Sequence, residues 1–142
     1  MTTPPEAQAI AERELCGLVT GLAHQIADHV RQRAVTLGLT SAQATALREM
    51  TGPMTMRELA ERMSCEPSNA TFVIDKLEKQ SLVERRAHPT DRRAKHLVLT
   101  PEGSVLRERL LELLTQESPL AALTPEQQGA LQGLLERTVA HP

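Results

Sequence analysis

Aromatic side chains are almost absent: the chain has one Phe and neither Tyr nor Trp. A single ring cannot build a stacking platform for single-stranded nucleic acid or free nucleotides, so the usual single-strand RNA readers drop out. Cysteine is equally scarce, and two thiols in 142 residues make no disulfide framework. Neither a signal peptide nor an apolar run of bilayer-crossing length is visible, and the expectation is a soluble, cytoplasmic protein without membrane contact. Paired carboxylates, a nucleophile elbow, a glycine-rich phosphate loop and a metal-ligand cluster are also missing, which argues against an enzyme and against any cofactor or metal. His24 and His29 come nearest to a metal pair, but five residues place them about 140° apart around a helix.

What is present is globular. Hydrophobic residues make up 40% and charged residues 24%, the composition of one ordinary folded domain over residues 1–142. The net charge of −2 taken alone speaks against a polyanionic partner, but its distribution speaks for one. Residues 1–54 carry four basic and five acidic groups, residues 55–96 nine and seven, and residues 97–142 three and six. Within the middle segment Arg85, Arg86, Arg92, Arg93 and Lys95 face only Asp91, with His88 and His96 nearby. A concentrated basic loop on a mildly acidic body is the footprint of local phosphate contact, against the plainer reading of a solvated charged hairpin.

Periodicity organises the rest. From about Ala7 to Leu37, Leu15, Leu18, Leu22, Ile26 and Val30 recur three or four apart and predict a long amphipathic helix. Thr40 with Gln43 reads as a capping box opening a short helix that ends before Gly52-Pro53, and Thr55 with Glu58 reads as another, opening a helix through Met63 with Leu59 and Ala60 inward. After three residues Pro67 suits the first position of a helix to about Gln80, with Ala70, Val73, Ile74 and Leu77 as its buried face. Two helices so joined form a helix-turn-helix. Leu82–Arg86 and Lys95–Leu99 then read as short strands around a basic loop, Ala87–Ala94, turning at Pro89-Thr90-Asp91: a wing. Thr100-Pro101 restarts helix, with Val105, Leu106, Leu110, Leu113 and Leu114 as its stripe until Pro119. Thr124-Pro125 opens a last helix carrying Leu131, Leu134, Leu135 and Val139.

The expected fold is therefore mainly α with a small β-hairpin wing (α+β): a winged helix-turn-helix core over residues 38–100, flanked by helical dimerisation regions over residues 5–37 and 101–142. The outer helices carry apolar stripes with little of the core left to cover, and their economical use is packing against a second copy in an obligate two-fold dimer.

The stretch from Leu59 to Gly103, LAERMSCEPSNATFVIDKLEKQSLVERRAHPTDRRAKHLVLTPEG, resembles the MarR-type (multiple antibiotic resistance regulator) winged-helix repressors, and the similarity extends over nearly the whole chain. Its most specific part is the wing, where LVERR, a short turn, DRRAK and LTPEG stand in the family's order and spacing. The resemblance implies a homodimer, built by the terminal helices, that binds a short pseudo-palindromic duplex and usually represses a nearby gene. Two positions depart from the pattern. Ser81 stands where the family usually has Gly, so either serine takes a left-handed conformation at a cost of roughly 1 kcal/mol or the helix ends differently. Phe72 stands where relatives more often have Arg or Gly.

With the buried face set, Ser68, Thr71, Phe72, Asp75 and Lys79 point outward, with Asn69 and Lys76 at the flank. Ser68, Asn69, Thr71 and Phe72 are the expected base readers, since Asn can pair bidentately with adenine while a methyl or ring touches the thymine methyl. The alternative is a solvated helix face with Ser68 as a cap, and for Phe72 packing on the wing. Lys76, Lys79 and Arg57 are long cations near the expected DNA backbone path, and Thr55 and Gln43 sit at helix starts that favour phosphate. Arg57 could equally pair with Glu61. In the wing, Asp91 and Arg93 match the family's D-x-R, which implies an arginine in the minor groove and an aspartate holding its guanidinium; a narrow A·T-rich groove favours such an arginine. Arg86 and Arg92 are the further backbone candidates.

Cys16 and Cys65 are candidate redox thiols. Some relatives sense oxidants through a cysteine in the first helix, to which Leu15-Cys16 is slightly similar, but with tyrosines that this chain lacks. Cys65 precedes a helix N-terminus, which lowers a thiol pKa, although a small residue in a tight turn explains it as well. The resemblance also admits a small-molecule effector, with His24 and His29 bordering its pocket. The competing function is a winged-helix protein-interaction module without DNA readout, which has no need of Arg93 or a basic loop.

Overall fold

The computed structural model describes residues 4–91 and 93–140. Six helices and one hairpin follow in the order α1 (Pro5–Thr36), α2 (Ser41–Glu49), α3 (Met56–Met63), α4 (Pro67–Lys79), β1 (Val83–Ala87), β2 (Lys95–Leu99), α5 (Pro101–Thr115) and α6 (Pro125–Ala140). The expected mainly α architecture with a two-stranded wing is what forms. The chain divides into two compact units: Ala27–Leu114, and the described residues of Met1–Ile26 with Thr115–Pro142.

Within Ala27–Leu114 the helix boundaries follow from their caps. Thr40 and Gln43 make the full capping box: the Gln43 N–H donates to Thr40 Oγ1 at 3.1 Å, and the Thr40 N–H donates to Gln43 Oε1 at 2.9 Å. At Thr55 only the first half is made, the Glu58 N–H donating to its hydroxyl at 3.2 Å. Pro67 occupies the first turn of α4 after Glu66, which gives no side-chain cap, so Ser68 is not the cap either.

Three helices close alike. Leu39, Cys65 and Leu82 donate their N–H groups back five residues to Ala34, Ala60 and Leu77, and the residue before each has positive φ: Gly38 at 72°, Ser64 at 54° and Ser81 at 60°. This is the Schellman closure, for which glycine is the cheapest residue. Ser81 therefore does adopt the left-handed conformation. The closure also explains why β1 begins one residue later than expected. Leu82 spends its N–H on α4, and its carbonyl accepts from the Thr100 N–H at 3.1 Å.

The strands pair antiparallel with Val83 opposite Leu99 and Ala87 opposite Lys95. Met54 adds an isolated bridge to Leu97, exchanging both backbone hydrogen bonds at 3.2 and 2.7 Å. Leu47, Met50, Met54, Leu59, Ile74, Leu77, Leu97 and Leu110 are fully buried and form the core of this unit, together with Ala70 and Val73. Gly103 is where α5 crosses Leu82: a Cβ there would lie 2.0 Å from the Leu82 carbonyl oxygen, so no other residue fits without movement. The LTPEG glycine thus has a packing cause.

The terminal unit has a different character. Leu22, Ile26, Leu120, Leu131, Leu135 and Val139 line an open apolar trough. Leu15, Leu18, Leu134 and Val139 are exposed, at 61%, 72%, 60% and 82%.

Candidate nucleic-acid interface

The site is built on α4. Ala70, Val73, Ile74 and Leu77 are all buried, at 7% exposure or less, which rotates the polar face outward. Ser68, Asn69, Phe72, Asp75, Lys76 and Lys79 are exposed, and Thr71 is half-buried. Asn69 and Lys79 have no side-chain partner among the described residues, so their donors are free. The Thr71 hydroxyl donates to the Pro67 carbonyl at 2.9 Å; its hydrogen is committed to its own helix, and what it can present is a methyl and an acceptor. Phe72 is 62% exposed and is not packed on the wing. The Lys76 ammonium instead lies 4.4 Å from the centre of its ring.

A shallow depression joins this helix to its neighbours. Thr55, Met56 and Arg57 at the start of α3, Thr71 on α4, and Arg85, Ala94, Lys95 and Leu97 from the hairpin line it. Arg57 is exposed and makes no ion pair with Glu61 among the described residues. Sequence-expected contacts from two separate helices, Thr55 and Arg57 of α3 and Thr71 of α4, are thereby brought together.

In the hairpin, alternation sends neighbouring arginines to opposite faces. Arg85 turns toward α4, where it is ion-paired with Asp75 and lies 3.6 Å from Glu78. Arg86 pairs with Glu84 at 3.0 Å and lies beside Thr51, Pro53 and Arg107 on the other face. The basic cluster read from the sequence is therefore partly neutralised at its root. Arg93 and Lys95 are exposed and without an acidic partner among the described residues, while Arg92 lies outside the described residues. At the tip His88 Nδ1 accepts from the N–H groups of Thr90 and Asp91 at 3.2 and 3.1 Å. Asp91 then accepts from the Arg93 N–H at 2.9 Å.

That last bond is a correction. The aspartate holds Arg93 by its main chain and not by its guanidinium, because Oδ1 reaches the amide two residues on, an Asx-type turn. Gln43 is a second correction. It is 5% exposed, its Oε1 and N–H are used in the capping box, and its Nε2 donates to Gln80 Oε1 at 3.0 Å. A buried glutamine whose amide is directed into these bonds is turned away from a phosphate; it ties the start of α2 to the end of α4.

Of the remaining candidates, Cys16 is exposed on α1 and Cys65 half-buried in the turn before α4. His29 is buried, its Nε2 2.8 Å from the Leu114 carbonyl at the end of α5, and His24 is exposed. Among the described residues no cluster of His, Cys, Asp and Glu could hold a metal, and no helix is long and apolar enough to cross a membrane.

Three features escaped the sequence reading. Arg85 is one; its signal was the acidic pair Asp75 and Glu78, three apart and in need of a cation. Arg107 is another, donating to the Leu47 and Arg48 carbonyls at 2.8 and 2.9 Å and so capping the end of α2. The third is a bond of Thr100: its buried hydroxyl accepts from the Gly103 N–H at 3.0 Å as the cap expected at Thr100-Pro101, but its donation to the Ser81 carbonyl at 2.7 Å, which ties this cap to the end of α4, was not legible.

A helix-turn-helix with a basic hairpin behind its second helix defines a winged-helix protein. The family model described as MarR family matches residues 39–95. Among curated relatives, the HTH-type transcriptional repressor MdtR of Bacillus subtilis is 36% identical over 98 residues, 60% of this chain and 63% of the relative, so the match spans less than two thirds of that relative's length. The crystal structure of the transcriptional regulator PA3341 is similar over 89% of this chain and 96% of its own, at 30% identity and a TM-score of 0.78. A mutant MarR from E. coli complexed with operator DNA shares the fold, with a TM-score of 0.70 at 23% identity over 96% of this chain and 99% of its own. The chain belongs to the MarR family.

Proposed function

We propose that the chain is a sequence-specific regulator, a cytoplasmic repressor in its simplest form, that binds a pseudo-palindromic duplex as a homodimer. The helix at residues 67–80 enters the major groove and the wing at residues 87–94 the minor groove. Ser68, Asn69, Thr71, Phe72 and Arg93 face bases; Thr55, Arg57, Lys76, Lys79, Arg86 and Arg92 face the backbone; Asp91 stabilises the wing. The observation that carries the reading is the exposed polar face of α4 beside unpaired cations of α3 and the wing around one depression. The fold shared with an operator-bound MarR supports it. The homodimer draws its support from the uncovered apolar residues of the terminal unit. Release by a small-molecule effector is the regulation that family membership adds, and loss of a formed complex on titration with small aromatic acids tests it.

The decisive experiment is selection of bound duplexes from a random pool at two salt concentrations. A two-fold symmetric motif with half-sites about one helical turn apart is the expected result. Salt-sensitive background without enrichment overturns sequence-specific reading, and salt-insensitive behaviour favours the protein-interaction module, because for each neutralised phosphate the affinity falls by about 0.9 log units per tenfold rise in salt. On the selected duplex, Arg93→Ala is expected to cost about 1–3 kcal/mol and to relax A·T preference, whereas Lys79→Ala weakens all sequences alike. A fully active Arg93→Ala would remove the wing from the interface.

A further inference from the structure

We infer that Phe72 and Lys76 together read the C5-methyl group of a pyrimidine in the major groove, an assignment that rests on the DNA-binding reading above and moves Lys76 from the backbone contacts to a base edge beside the Phe72 ring. Phe72 is the chain's single Phe, Tyr or Trp, and it stands 62% exposed on the outward face of α4. The fold does not use the ring, since none of the helix's buried residues is replaced by it. Yet the ring is not loose: Lys76, one turn on, holds its ammonium 4.4 Å from the ring centre, a cation–π geometry that covers one face and leaves the edge and the other face open. The neighbouring carboxylate that could draw the ammonium away, Asp75, is occupied by Arg85.

A major groove offers such a ring very little. Its base edges are mainly hydrogen-bond donors and acceptors, and the one bulky apolar group on them is the methyl at C5 of thymine, where cytosine carries only a hydrogen. Pressed on a polar edge, the ring would strand a donor or acceptor away from water; pressed on the methyl, it buries apolar surface. The ring therefore selects by exclusion as well as by attraction. The same methyl occurs on 5-methylcytosine, but the Lys76 ammonium beside the ring can donate to the O4 of thymine and not to the N4 amino group of cytosine, which puts thymine first.

The test uses the full chain and a duplex taken from the selection experiment. Each thymine of the half-site is replaced in turn by deoxyuridine, which removes only the methyl, and by cytosine and 5-methylcytosine. Wild type is expected to lose about fourfold per half-site at one thymine position, the worth of one buried methyl. At that position it prefers 5-methylcytosine to cytosine by a similar factor but still binds thymine best. Phe72→Ala binds the thymine and deoxyuridine duplexes equally, and Lys76→Gln narrows the wild-type ratio. Binding that ignores deoxyuridine at every position, or a loss that persists in Phe72→Ala, overturns the assignment while leaving DNA binding intact. A Lys76→Gln ratio equal to wild type removes Lys76 from it, and failure of the selection itself counts against the DNA-binding reading. A wild type that binds 5-methylcytosine better than thymine reverses the choice of base.

Discussion

The two units of the chain use leucine and valine in similar proportion but to opposite ends. Every fully buried hydrophobic residue among the described ones lies between Val30 and Leu110, within Ala27–Leu114. The terminal unit has none, although Ile10, Leu15, Leu18, Val19, Leu134, Leu135 and Val139 all belong to it, and each is more than a third exposed. The inner unit completes its own core; the terminal unit carries the makings of a core and covers none of it fully. Exposed apolar faces of that extent mark interaction surfaces, and the difference between the units is what supports the proposed homodimer.

The comparison can be broken most severely at Leu59, which is fully buried. Leu59→Ala is expected to lower unfolding free energy by about 3 kcal/mol, independent of protein concentration, in a denaturant titration. Gly103→Ala should cost on the order of 2 kcal/mol, because the added methyl meets a backbone carbonyl at 2.0 Å that cannot rotate away. A melting temperature unchanged in that variant would show that α5 shifts freely over Leu82. Leu18→Ala sharpens the contrast from the other side. Removing a side chain that is 72% exposed in the single chain should leave stability nearly untouched at dilution but weaken self-association by about 1–2 kcal/mol, visible in sedimentation at nanomolar concentration. Wild-type protein that sediments as a monomer there would defeat the dimer reading outright. Smallest is Ser81→Gly, expected to stabilise by about 0.5–1 kcal/mol, since φ of 60° is strained for serine and free for glycine. A loss of stability in thermal unfolding would mean that the serine side chain contributes something the backbone account omits.

Most of the inner unit was legible because its signals are local. Capping residues at Thr40 and Thr55, Pro67 at a first turn, and the spacing of Ala70, Val73, Ile74 and Leu77 each state a helix start or a buried face within a few residues. What escaped was long-range or directional. An isolated bridge such as Met54 to Leu97 has no period to reveal it. A capping box at Thr40 does not say that its Gln43 will be covered by Gln80. The basic run at 85–95 gives a charge count but not the partners ten residues upstream on α4 that neutralise Arg85. The outward face of α4 was legible as a face, yet the pairing of Phe72 with Lys76 depended on a rotamer, which no spacing rule contains.

The Met54–Leu97 bridge has a kinetic consequence. It closes a loop that contains α3, α4, β1 and the whole wing, so it can form only after those helices have condensed, and closure entropy delays it relative to local helix contacts. Once made, it anchors the root of the hairpin through two buried residues, each 1% exposed, while among the described residues the exposed tip is held by the His88 imidazole, the Asp91 carboxylate and two backbone bonds, the His88 N–H to the Ala94 carbonyl at 3.4 Å and the Ala94 N–H to the Asp91 carbonyl at 3.2 Å. Burial at one end of the hairpin and exposure at the other set an expected gradient of amide exchange, slow at the Met54–Leu97 pair and faster toward the tip.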